Sequence, residues 1–311
     1  MRMTHFEKKI YKTLINNAFL FLSETLLRLL DRDPEGSGKM DTNLLTLTCA
    51  ELQISLELAI RATLVHSRGI KCILKSNQAN LSESEIEDLY ANNALKVTEF
   101  DKQKNFLKSQ NISRLTKEEF KEIDRFQVFR NKIVHFSCEF TDEQLVELRD
   151  EVLYYIVHVV LVLLADTSTG ETPAEYLQSK LGLKFYKQVM AYHPYVKAME
   201  KFAAKNANPV WTCIGCFHRT YSPKDDYCYI CGYETLAGYR RVDCGACGTK
   251  DSVIYDDWNI HNPGNHHFMH GKCLNCEEDT EVFECPVCGE AHDLSKNFER
   301  EYCDSDHCVN Q

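Results

Sequence analysis

The sequence predicts an all-α helical bundle followed by small cysteine-bounded modules, and three observations carry that reading. Apolar residues recur at helical spacing through the first two thirds of the chain. No stretch before residue 206 alternates with the two-residue period of a strand. Twelve of the fifteen cysteines fall after residue 210, almost all as Cys-x-x-Cys pairs.

The first helix is predicted over residues 5–30, where Phe6, Ile10, Leu14, Phe21, Leu22 and Leu29 share a face, and it stops in the proline- and glycine-containing loop 31–39. Asp41 to Asn43 supply N-cap candidates for a second helix running from Leu44 to about Ser67 and ended by Arg68-Gly69. Residues 83–108 read as two shorter, charged helices. Thr116 with Glu119 three residues on forms a capping box that opens a helix to about Val134. Thr141-Asp142 starts the most apolar helix, Leu145 to Leu164, part of which is expected to face a second subunit. Thr172-Pro173-Ala174-Glu175 combines an N-cap, a proline at the first helical position and a capping glutamate. One or two further helices reach Lys205. The predicted division is a helical domain over 1–168, a helical connector over 169–206 and a cysteine-rich region over 207–311.

Charge is split unevenly. Residues 1–206 carry 28 basic and 28 acidic side chains, against 8 and 18 in residues 207–311. An acidic module is a poor grip for a phosphate backbone. No apolar run reaches the roughly 18 residues that span a bilayer, and the start of the chain does not read as a secretion signal. A soluble cytoplasmic protein without membrane contact is expected.

In such a setting, paired cysteines point to metal rather than disulfides. The pairs are Cys213/Cys216, Cys228/Cys231, Cys244/Cys247, Cys273/Cys276, Cys285/Cys288 and Cys303/Cys308. Each turn offers two thiolates, and two turns complete a tetrahedron, so about three structural Zn2+ ions in zinc-ribbon modules are expected, with no open coordination position for catalysis. Pairing in chain order is simplest, while interleaved pairing stays open. In the last site His292 or His307 could replace a cysteine. His261, His266, His267 and His270 read as a solvated loop between the second site's turns. Isolated Cys49, Cys72 and Cys138 read as small apolar residues, and His158 as a buried, hydrogen-bonded core histidine.

The most informative helical stretch is 126–136. On a helix Asp124, Gln127, Asn131 and His135 form one polar stripe, with Phe120, Ile123, Phe126, Phe129 and Ile133 on the buried side. Arg130 lies about 140° from His135, within reach of a long side chain. The segment resembles the Arg-polar-x-x-x-His signature of HEPN domains, carried by Arg130, Asn131 and His135. Ser55 to Ala62, ending near Arg68-Gly69-Ile70, resembles that family's second helix, and the helix from Thr141 the one after the motif. The likeness covers roughly residues 5–165.

This resemblance implies a HEPN-like bundle and a metal-independent endoribonuclease of the toxin or antiviral-defence type, acting as a homodimer with two motifs in one cleft. His135 would move a proton for attack by a ribose 2′-OH, Arg130 would stabilise the phosphate, and Asn131 would orient one of them. Glu57 occupies the place where some members carry an acidic residue near the site. The zinc tail would then meet a regulator or protein partner, or cover the active site. Two other readings compete: a non-catalytic HEPN-like scaffold whose tail binds a protein, and a tail that reads nucleic acid through Arg219, Lys224, Arg240 and Arg241 with Trp211, Tyr221 and Tyr239.

Overall fold

The computed structural model describes residues 3–32, 42–113, 115–134, 141–167, 173–233, 240–260 and 267–295. The chain divides into two compact units: Met1–Phe202 with Ile230–Gly232, and Ala203–Tyr229 with Tyr233–Gln311.

The first unit is helical, built on a long antiparallel pair, α1 (His5–Arg32) and α2 (Thr42–Arg68). The two are tied by Ser55 Oγ donating to the Ala18 carbonyl at 2.7 Å and by the Arg28–Glu51 ion pair at 2.8 Å. A 3-10 turn (Ile70–Ile73) and the helices α3 (Ser76–Ala79), α4 (Glu83–Ala91) and α5 (Phe100–Gln110) follow. Then come α6 (Lys117–Val134), α7 (Asp142–Glu147), α8 (Leu153–Thr167), α9 (Pro173–Leu181), α10 (Leu183–Met190) and α11 (His193–Asn206).

Helix starts follow local chemistry. The Thr116 amide donates to Glu119 Oε2 and the Glu119 amide to Thr116 Oγ1, closing the capping box before α6. Thr141 and Gln144 do the same for α7. The apolar helix expected as one element is interrupted by a π turn at Leu148–Val152 before α8. From Val152 to Ala165 every residue is buried within this chain. The run from Leu145 to Leu164 is thus mostly core, with Val146 on α7 its exposed apolar residue. A helix apolar all round is a core helix.

Among the described residues one stretch, Asn43–Arg68 of α2, is long and apolar enough to cross a membrane by length and composition; half of its apolar 18-residue window is buried, and α2 packs on α1, α5, α6 and α8. Its apolar character supplies core.

The start of α1 is latched to the 3-10 turn. Glu7 Oε1 accepts from the Ile70 amide at 3.0 Å, and Gly69 sits at φ +82°, where an added Cβ would lie 2.5 Å from that same oxygen. The backbone conformation favours glycine, and an added Cβ would push the Glu7 carboxylate off the Ile70 amide. Gly69→Ala is expected to lower stability by about 1–3 kcal/mol, read from urea unfolding; an unchanged midpoint would contradict this account of the latch.

The second unit is small antiparallel β-structure. β1 (Tyr221–Ser222) pairs with β2 (Tyr227–Cys228). β3 (Arg240–Val242), β4 (Val253–Ile260), β5 (Phe268–Cys273), β6 (Asp279–Glu284) and β7 (Ala291–Asp293) form a five-stranded meander in chain order. Val242, Val253, Tyr255, Met269 and Val282 line one buried face. Gly271 keeps that face closed: a Cβ there would stand 2.8 Å from Val282 and 2.9 Å from Val253.

Candidate functional site

The motif on α6 is positioned by the helix's amphipathic character. Phe120, Ile123, Phe126 and Phe129 are buried, Ile133 is half-buried, and the polar stripe turns away from them. Arg130 Nη1 donates to Asn131 Oδ1 at 3.0 Å, with Asn131 exposed. Among the described residues no carboxylate pairs with Arg130, whereas Arg28, Arg61, Arg125, Arg149, Arg240 and Arg241 each hold one. His135, the third residue of the motif, and Cys138 lie outside the described residues.

One turn back, the stripe meets α2. Gln127 Nε2 donates to Gln53 Oε1 at 2.5 Å, Gln53 Nε2 donates to Glu57 Oε1 at 2.8 Å, and Arg61 Nη2 donates to Glu57 Oε2 at 2.9 Å. Arg61 Nε continues to the buried Gln103 on α5. Glu57 is thus joined through Gln53 to the motif's helix, and both its oxygens are taken. Asp124, the first stripe residue, accepts from Lys104, which also contacts Asp101. Burial opposes the Lys104 charge, but these two carboxylates outweigh it and hold its pKa above the ordinary value. The pairing of Gln127 with Gln53 joins residues 74 apart in sequence, and nothing in either helix's own spacing signals it.

Deeper in the bundle His158 Nε2 meets Glu119 Oε1 at 3.1 Å, both side chains almost fully buried. Burial pushes the Glu119 carboxyl up, yet the His158 contact and the Thr116 amide and hydroxyl more than offset it, leaving its pKa below the usual 4.5.

The cysteine turns repeat one geometry. In each, the amide of the first cysteine donates to a carbonyl five residues on, as Cys213 to His218, Cys228 to Tyr233, Cys244 to Thr249, Cys273 to Glu278 and Cys285 to Glu290. The residue after the second cysteine is left-handed: Phe217, Gly232, Gly248, Glu277 and Gly289. Glycine takes that conformation freely, so Phe217 and Glu277 pay a conformational cost that the turn imposes. Amides of Cys247 and Cys276 donate to the sulfurs of Cys244 and Cys273 at 3.4 Å.

Two quartets close from these turns, Cys213/Cys216/Cys228/Cys231 and Cys244/Cys247/Cys273/Cys276, with all sulfurs of each within 4.8 Å. Four thiolates about 2.3 Å from a central Zn2+ stand about 3.8 Å from one another. Cys216 and Cys228 sulfurs lie 3.7 Å apart, and Cys244–Cys276 and Cys247–Cys273 both 3.8 Å. These spacings fit a structural zinc and are far from a disulfide's roughly 2 Å. Burial pushes Cys244 up to about 12, while Cys247, against the push of its own burial, is brought down to about 6 by Thr249, Cys244 and Asn275. Pairing runs in chain order in both. The turns are also stitched to one another, the Thr212 amide donating to the Leu274 carbonyl at 2.7 Å.

Cys285 and Cys288 share the turn geometry, Cys285 buried and Cys288 exposed. Cys303, Cys308 and His307 lie outside the described residues. His292, on β7, has its Nε2 buried without a hydrogen bond. Of the histidine run, His261 and His266 lie outside the described residues; His270 is on β5, 3.8 Å from Asp279, so the run is in part strand rather than loop. Cys49 is buried, and Cys72 is half-buried with its thiol donating to the Gly69 carbonyl.

The basic edge considered for nucleic acid is largely engaged within the unit. Arg240 pairs with Glu284 at 2.8 Å, Arg241 with Asp226 at 3.1 Å and the Tyr221 hydroxyl at 2.7 Å, and Arg219 donates to the Asn275 carbonyl. Trp211 and Tyr221 are buried against each other rather than presented for stacking; Tyr239 lies outside the described residues. Comparison of the chain with protein-family models, with curated proteins and with solved structures found no match.

Proposed function

We propose that the protein is a metal-independent endoribonuclease of the HEPN type, acting as a homodimeric toxin or antiviral-defence effector regulated through its cysteine-rich tail. The observation that carries this is the Arg130–Asn131 pair at the end of α6. A guanidinium steadied by a neutral amide, with no carboxylate among the described residues to quench it, keeps its charge for a phosphate. His135 follows one turn after Asn131 on the stripe's spacing. It accepts the proton of a ribose 2′-OH as that oxygen attacks the adjacent phosphorus, and the 5′-oxygen departs with a proton, leaving a 2′,3′-cyclic phosphate. Arg130 stabilises the charge gathered on the phosphoryl oxygens. Glu57, hydrogen-bonded through both oxygens, ties α2 to α6 by way of Gln53 beside the motif. About three structural Zn2+ ions hold the tail, the third taken by Cys285 and Cys288 with Cys303 and Cys308.

A second reading, a non-catalytic scaffold whose tail binds a protein, is favoured by the Gln127–Gln53–Glu57–Arg61 chain, which gives part of the polar stripe a structural purpose. Substrate chemistry separates the two. Cleavage is expected of RNA and not of the same sequence carrying 2′-O-methyl groups, with cyclic-phosphate ends on the products. Equal cutting of both substrates would rule out 2′-OH attack, and stable RNA-independent protein complexes without any cutting would favour the scaffold.

A further inference from the structure

We infer that the second quartet, Cys244/Cys247/Cys273/Cys276, is a modification site for thiol-directed oxidants of the peroxide class, and that the first quartet is not. The inference rests on the zinc reading of both quartets and on one asymmetry between them. In the first quartet Cys213, Cys228 and Cys231 are buried, Cys216 is half-buried, and none is exposed. In the second, Cys244 and Cys273 are buried, at 2% and 0% exposure, while Cys247 and Cys276 are exposed.

The two kinds of cysteine have different jobs in the turn. Cys244 and Cys273 receive main-chain amides on their sulfurs, at 3.4 Å each, and Cys273 also stands 3.3 Å from the Ser252 hydroxyl. Such bonds draw charge from sulfur and shield it. Cys247 and Cys276 are the exposed residues of their turns, although the Cys247 sulfur also contacts Thr249 Oγ1 at 3.2 Å and Asn275 Nδ2 at 3.8 Å. Oxidation of a metal-held cysteine follows thiolate character and access together. Coordination supplies the thiolate character in both quartets, so access decides between them.

Each exposed sulfur also has a resolving partner. Cys247 stands 3.8 Å from Cys273, and Cys276 the same distance from Cys244, so either outer cysteine faces a buried thiolate of the opposite turn. The step balances. The outer thiolate attacks a peroxide oxygen, the S–O bond forms as the O–O bond breaks, and the hydroxide released takes a proton to become water. The facing thiolate then attacks the sulfenic sulfur, the S–S bond forms as the S–O bond breaks, and a second water leaves. Two thiolates lose two electrons, and one peroxide with two protons becomes two waters. The pair so formed no longer holds a cation.

The consequence extends to the sheet. Val253, Met269, Val282, Cys244 and Cys273 share one core cluster, and the Gly245 amide donates to Asp293 on β7 at 2.6 Å. Loss of the second quartet therefore loosens the five-stranded meander.

The test uses the full chain, loaded with zinc and titrated with hydrogen peroxide. Released zinc is followed by a colorimetric chelator, and each cysteine is mapped by isotope-coded alkylation and mass spectrometry. Zinc content before treatment reads the metal assignment: if cysteines of the second quartet carry none, the zinc reading fails by itself. Given zinc in both, the expected result is oxidation of Cys244, Cys247, Cys273 and Cys276 about tenfold faster than Cys213, Cys216, Cys228 and Cys231, with zinc release in step and reversal by a reducing phosphine plus zinc. Equal rates in the two quartets, or faster loss from the first, overturn the inference. Cys247→His, which keeps a metal ligand but removes one outer thiolate, is expected to slow the release; release at the wild-type rate from a folded, zinc-loaded variant also counts against it.

Discussion

Stripping zinc from the full chain is expected to unfold the second unit while leaving the helical signal of the first. The second unit's described strands are short, two to eight residues, and its buried face in the meander comprises only a handful of side chains. Two of those side chains are cysteines themselves: Cys244 and Cys273 belong to the same cluster as Val253 and Val282. A core this small does not offset the conformational entropy of ordering the chain. Metal binding does, since a structural Zn2+ contributes on the order of 10 kcal/mol at neutral pH. Chelation followed by circular dichroism and limited proteolysis should show the 222 nm signal largely kept and the meander strands β3 to β7 becoming cleavable. Cys273→Ser should remove one zinc equivalent and expose the same segment. A second unit that resists protease after complete zinc removal would refute the metal's structural role.

His158→Ala is expected to destabilise the helical unit by about 3–5 kcal/mol, because it leaves a buried carboxylate without its partner. Glu119 is 3% exposed and serves two elements at once, capping α6 through Thr116 and meeting His158 on α8. His158→Gln, which can still donate to Glu119, should lose less. The acid side of the stability profile follows from the same carboxyl. Its folded pKa lies below 4.5, so it contributes stability above that value, and this contribution is lost as pH falls from about 4.5 through the lower folded value. Glu119→Gln should flatten that part of the acid limb. Urea midpoints at neutral pH and at successive acid steps measure both effects; a neutral-pH loss under 1 kcal/mol in His158→Ala would show that the pair is not a keystone.

How far the sequence could be read depended on the range of the cause. Features set within four residues were legible. Thr116 with Glu119, Thr141-Asp142 and Pro173 mark helix starts, and the Cys-x-x-Cys turns mark themselves. Chain-order pairing, the simplest option, holds in the first two quartets, where β1 pairs with β2 between the first quartet's turns and β4 with β5 between the second's. Features set by contacts across the chain were not legible. The π turn at Leu148–Val152 has no spacing signature, and the apolar run around it reads as one helix. The Gln53–Gln127 bond depends on how α2 crosses α6. Gln53 is also a second partner to Glu57, whose i,i+4 spacing to Arg61 already allows the helix salt bridge the structure shows. Phe217 and Glu277 carry no hint of their left-handed backbone, because glycine is the residue that announces it.

The proposed ribonuclease rests on Arg130, Asn131 and His135. Its test is to incubate zinc-loaded wild type, Arg130→Ala and His135→Ala with a mixed-sequence RNA, in buffer without magnesium. Wild type is expected to cut, with both variants folded by circular dichroism and slowed at least about a hundredfold. Cutting by the two variants at the wild-type rate would place the activity elsewhere, and no cutting by wild type on any RNA would leave α6 as one wall of a scaffold.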